Sequence, residues 1–89
     1  MVRDFDTIWA RIKRHEGETF AQKRGGEFCY AIEGSGIRPD RTNQVISKKH
    51  LKEASGLLPL EDTVPVQHLR GPSYIYAVLM DSRIRELDW

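Results

Sequence analysis

Cysteine is nearly absent from this chain. Cys29 is the only one in 89 residues, so no internal disulfide can form. A short secreted domain ordinarily depends on several such bridges. No apolar run is long enough to cross a bilayer, and no signal-peptide core follows Met1. These absences lead us to expect a soluble, cytoplasmic protein. Internal repeats, low-complexity tracts and linker-like stretches are also missing, so residues 1–89 read as a single domain.

The usual carriers of chemistry are missing too. His15, His50 and His68 are not spaced to share a metal with one another or with Cys29. No phosphate-binding Walker loop occurs, and Gly34-Ser35-Gly36 is explained as a turn between two strands. Pro39-Asp40 matches the start of a nuclease metal motif, but the Glu-x-Lys element that should follow is absent: Ala54 and Ser55 follow Glu53. Cys29 alternates with core-facing residues and has no identifiable base, so it reads as a packing residue and not a nucleophile. We therefore expect no enzyme, no metal and no cofactor.

What is present is folding information. Hydrophobic residues make up 39% and charged residues 30%, in short periodic groups typical of a globular chain. Phe5, Ile8, Trp9 and Ile12 fall at i, i+3, i+4 and i+7, which predicts a first helix with Asp4 as N-cap and Gly17 just past its end. Arg11, Lys13 and Arg14 are expected on its solvated side. Thr19–Lys23 reads as a strand, Arg24-Gly25-Gly26 as a turn, and Glu27–Glu33 as a second strand with Phe28, Tyr30 and Ile32 on one face. A third strand starts at Ile37, with Pro39 at its edge or end.

Ser47 is placed to cap a helix running to about Ser55, and Ile46 and Leu51 have the spacing of a hydrophobic staple. Residues 56–71 read as a crossing loop pinned by Leu57, Leu58, Leu60, Val64 and Val66, long enough to hide a short element. Pro72 opens a last helix whose buried stripe is Tyr74, Ile75, Val78 and Leu79. Asp81-Ser82 weakens it, and Ile84 and Leu87 are expected to pack as a terminal turn. The predicted fold class is α+β: a helix, a three-stranded antiparallel meander, then two helices, packed on one sheet face.

Charge is uneven along the chain. Residues 1–52 carry 11 Lys/Arg against 7 Asp/Glu, and residues 53–89 carry 3 against 6. The densest basic stretch runs from Arg38 to Lys52. Lys48 and Lys49 fall in the first turn of the second helix, where the macrodipole alone would favour acids. Cations there suit an anion such as phosphate. An expected nucleic-acid surface follows: Lys23, Arg24, Arg38, Arg41, Lys48, Lys49 and Lys52 on phosphates, with Thr42 and Asn43 adding neutral contacts. The other reading of these lysines is a merely solvated helix end.

Ser47-Lys48-Lys49, with Lys52 and Ala54, resembles the basic motif of the double-stranded RNA-binding domain. The order helix, three strands, helix is similar to that family's topology. The resemblance covers about half the chain and implies a duplex as partner, with Lys48, Lys49 and Lys52 clamping phosphates. Gly56 and Pro59 depart from it by cutting the helix short, and a further helix follows. A second likeness, to small bacterial domains of no assigned activity, rests on Phe20, Lys23, Gly26, Phe28 and Tyr30. The function expected is a small nucleic-acid-binding accessory protein. The alternative is a protein-interaction or homodimer module, such as a regulator of a host or phage enzyme. It would use Tyr74, Tyr76, Trp89 or an edge strand near Ile37.

Overall fold

Apolar periodicity produces the first helix where it was expected. In a computed structural model describing residues 4–23 and 25–89, α1 spans Phe5–Arg14 and buries Phe5, Ile8, Trp9 and Ile12. Asp4 is its N-cap in an extended conformation, but the carboxylate accepts from the Thr7 hydroxyl at 3.2 Å and bonds no backbone amide. The Tyr30 hydroxyl donates to the Ile12 carbonyl at 2.6 Å, satisfying one of the orphan acceptors at the helix end and tying α1 to the sheet.

The strands follow as β1 (Phe20–Ala21), β2 (Glu27–Phe28), β3 (Tyr30–Glu33), β4 (Gly36–Pro39) and β5 (Ile46–Ser47). They correct the simple meander in two ways. The 27–33 stretch breaks at Cys29: Phe28 pairs with Phe20 in a two-stranded ladder, whereas Tyr30 pairs with Pro39 in a three-stranded antiparallel sheet ordered β3-β4-β5. Asp40 fills the gap, its amide donating to the Cys29 carbonyl at 2.8 Å and its carboxylate accepting from the Cys29 amide at 3.1 Å. The third strand of the sheet is β5, so β4 is central and Ile37 is not on an edge. Gly36 permits this pairing, because a Cβ there would lie 2.5 Å from the Ile46 carbonyl oxygen.

Phe28 and Tyr30, now in separate ladders, are both buried and both pack against the Phe20 ring. Cross-strand partners share a face, so Tyr30, Ile37 and Ile46 look toward the helices while Ala31, Glu33 and Arg38 look away. Ile32 lies on the inner face but is only half-buried. Helix α2 spans Lys48–Ser55, and the Ser47 hydroxyl caps it by accepting from the His50 amide at 3.3 Å.

The long crossing does hide an element, a 3-10 turn at Val64–Val66. Leu58, Leu60, Val66 and Leu69 hold the crossing to the core; Leu57 and Val64 are exposed at 43% and 64% and do not. Helix α3 spans Pro72–Leu79, and α4 spans Ser82–Arg85. Asp81 does more than weaken a helix. Its carboxylate accepts from the Arg83 amide at 2.9 Å and so starts α4. Ile84 is buried, but Leu87 is 97% exposed. Trp89 is buried, its indole donating to the Leu79 carbonyl at 2.8 Å. Thus one tyrosine and one tryptophan close the carbonyl ends of two helices.

The result is a small α+β fold: one helix, a three-stranded antiparallel sheet with a short added hairpin, and further helices on the inner face. Among the described residues no helix is long and apolar enough to cross a membrane.

Candidate nucleic-acid interface

The expected phosphate contacts lie in several places. Lys23 donates to the Glu61 carbonyl at 2.9 Å and lies 5.3 Å from the Tyr76 ring centroid. Arg24 lies outside the described residues. Arg38 projects from the outer sheet face and is paired with Glu33 at 2.5 Å. Arg41 reaches toward the Glu27 carbonyl at 3.5 Å, beside the turn that precedes β2. The Thr42 hydroxyl accepts from the Gln44 amide at 3.2 Å, closing a local turn, and Asn43 is exposed next to it.

Lys48, Lys49 and Lys52 form a separate group on α2. Lys48 is half-buried, with its ammonium 5.7 Å from the Trp9 ring centroid. That distance is within cation–π range. Lys52 lies one turn further along the same side of α2. Lys49 and Lys52 are exposed. Lys13, one turn beyond Trp9 on α1, is exposed as well. Among the described residues no carboxylate forms an ion pair with any of these four lysines.

The arginines are arranged differently. Arg11 was expected on the solvated side of α1. Instead it is buried, with Asp88 at 2.7 Å, Glu86 at 3.3 Å and the Ile84 carbonyl at 3.0 Å. Arg14 pairs with Glu86 at 2.8 Å. Arg83 bonds Asp81 and Glu18 and stacks 4.0 Å from the Phe20 ring centroid. Hydrogen bonds from His15 and then Arg83 lower the Glu18 pKa, and the Arg83 bond lowers that of Asp81. The acids of the C-terminal third therefore neutralise basic groups on α1 and their own helix. Part of the charge asymmetry along the sequence is thus cancelled inside the fold, whereas Lys13 and the α2 lysines keep no carboxylate ion pair among the described residues.

Two other candidates carry less. Partial burial, then the Asp40 carboxylate, push the Cys29 thiol pKa up, which is opposite to nucleophile activation. Among the described residues no group of three or more His, Cys, Asp or Glu side chains could hold a metal ion. Trp9, beneath Lys48, is the residue that the sequence did not connect with the basic group. Its apolar spacing marked it as core, and no local signal links residue 9 to residue 48. No family model matches this chain, and no match was found among curated proteins or solved structures.

Proposed function

We propose that this is a cytoplasmic nucleic-acid-binding accessory protein that engages duplex phosphates through Lys48, Lys49 and Lys52 on α2. The observation that carries the proposal is the lack of ion-pair partners for these lysines among the described residues, while Arg11, Arg14, Arg38 and Arg83 are all paired. Lys48, held over an indole with no carboxylate ion pair among the described residues, is left to an external anion. The first turn of α2 contains no acid, so the positive helix end adds to that field. Lys13 extends the same side along α1. Lys23, Arg41, Thr42 and Asn43 lie off this group and are left as peripheral contacts, and Arg38 is on the outer sheet face.

The interaction-module reading has less support. Trp89 is buried, Ile37 is on a central strand, and Tyr74 packs edge-on to Phe28 at 4.9 Å between centroids.

The test is a fluorescence-anisotropy titration of duplex DNA and duplex RNA at several salt concentrations. Affinity should fall steeply with salt, by about 0.9 log units per log unit for each phosphate neutralised on B-form DNA. The change Lys48→Ala, Lys49→Ala should flatten that slope by roughly two units and weaken all sequences alike. Absence of wild-type binding to either duplex at low salt would overturn the proposal and favour a protein partner. Binding with an unchanged slope in the double variant would move the site away from α2.

A further inference from the structure

Arg11 and Arg14 converge on a single atom. The Oε2 of Glu86 lies 3.3 Å from Arg11 Nε and 2.8 Å from Arg14 Nη2. Two guanidinium groups on one oxygen is an arrangement that also suits a phosphate oxygen. We propose that Arg14, backed by Arg11, is a second phosphate site on α1, and that Glu86 occupies it as a displaceable internal anion.

Three observations carry this. First, Arg11 does not depend on Glu86. Asp88 at 2.7 Å and the Ile84 carbonyl at 3.0 Å already hold its guanidinium, so the junction of α1 and α4 survives loss of the Glu86 contact. Second, the Arg14–Glu86 pair is exposed, the side chains being 63% and 42% accessible. Exposed pairs hold weakly against solvent and salt, so a polyanion can compete for Arg14. Third, the backbone around the carboxylate is strained. Glu86 and Leu87 have φ of 46° and 65°, left-handed conformations that non-glycine residues seldom adopt in succession. Leu87 is 97% exposed, so no burial of its side chain compensates. Swinging Glu86 away from α1 thus breaks its exposed pair with Arg14 and its longer contact with Arg11, which keeps Asp88 and the Ile84 carbonyl.

The placement fits the reading of α2 on which the inference rests. Helix α1 packs against both α2 and α4. Its Trp9 side meets Lys48, its Arg11 side meets the C-terminal turn, and exposed Lys13 and Arg14 adjoin in sequence. A strand of duplex lying along the α2 lysines and Lys13 would next reach Arg14, where it meets either Glu86 or, once that carboxylate is displaced, the guanidinium.

The experiment compares wild type, Glu86→Gln, Arg14→Gln and the double change on one duplex across salt, with a thermal melt of each protein. Glu86→Gln should tighten binding, because no internal anion then competes for Arg14, and Arg14→Gln in that background should remove the gain. In the wild-type background, Arg14→Gln should flatten the slope by about 0.9, one phosphate, because the duplex displaces Glu86 and takes Arg14. If Glu86→Gln melts early, this last measurement still decides: an unchanged slope would mean that Arg14 stays with Glu86 and would overturn the inference. Wild-type binding with unaltered affinity in Glu86→Gln would overturn the inference and leave the α2 proposal standing. Binding by Glu86→Gln alone would support the second site and overturn α2 as sufficient. No binding by any of the four would overturn both.

Discussion

At the junction of α1 and α4, Arg11 is 11% exposed and surrounded by acceptors, with Asp88 at 2.7 Å. At the start of α2, Lys48 lies over an indole, Lys49 and Lys52 face solvent, and none has a carboxylate partner among the described residues. Both groups belong to the basic half of the chain, and composition treats them alike. The difference lies in burial and in what comes to meet each. A guanidinium with a planar fork of donors can be enclosed by several acceptors at once. An ammonium group on a long stem stays hydrated, with its stem laid along apolar surface. Arg11 thus serves cohesion, while Lys48, Lys49 and Lys52 have no carboxylate ion pair among the described residues.

Three substitutions test that division. Trp9→Ala is on the helix that joins the two regions and should have the largest effect, ~3–5 kcal/mol. It removes a side chain only 8% exposed, together with the seat of Lys48. Chemical denaturation reads it; a loss below ~1 kcal/mol would mean that α1 docks through another face. Next is Arg11→Met, expected to cost ~2–4 kcal/mol because the buried guanidinium's bonds to Asp88 and to the Ile84 carbonyl are lost. The comparison sharpens if this loss is nearly independent of salt, since enclosed pairs are weakly screened. A cost within ~0.5 kcal/mol would put Arg11 in the same class as the α2 lysines. The smallest effect belongs to Ser47→Ala, ~1 kcal/mol through a lost cap at α2. The denaturation midpoint should move at constant slope; an unmoved midpoint would show that the 3.3 Å bond to the His50 amide contributes nothing.

Local chemistry was a good guide wherever a single element decided the outcome. The spacing of Phe5, Ile8, Trp9 and Ile12 marked the buried face of α1, and Ser47 marked the start of α2. Phe28 and Tyr30 were marked as buried by alternation alone. The failures come from partners distant in sequence. Arg11 read as surface because nothing near it announced Asp88. The 27–33 stretch read as one strand because period two is blind to which neighbour each residue pairs with. Trp89 read as exposed because its acceptor, the Leu79 carbonyl, is ten positions back and across a turn.

The candidate site divides the same way. Lys48, Lys49 and Lys52 were legible from their place at a helix start. Their freedom from ion pairs among the described residues was not, and neither was the contact of Lys48 with Trp9 or of Arg14 with Glu86. By itself the sequence determined the helices, the inner face of the sheet and the location of its basic residues, because periodicity, caps and turn residues act within a few positions. Only the tertiary structure decided which cations are spent on the fold and which remain available. That choice depends on side chains up to 77 positions apart, as Arg11 and Asp88 are, brought together by the packing of α1 against the C-terminal turn.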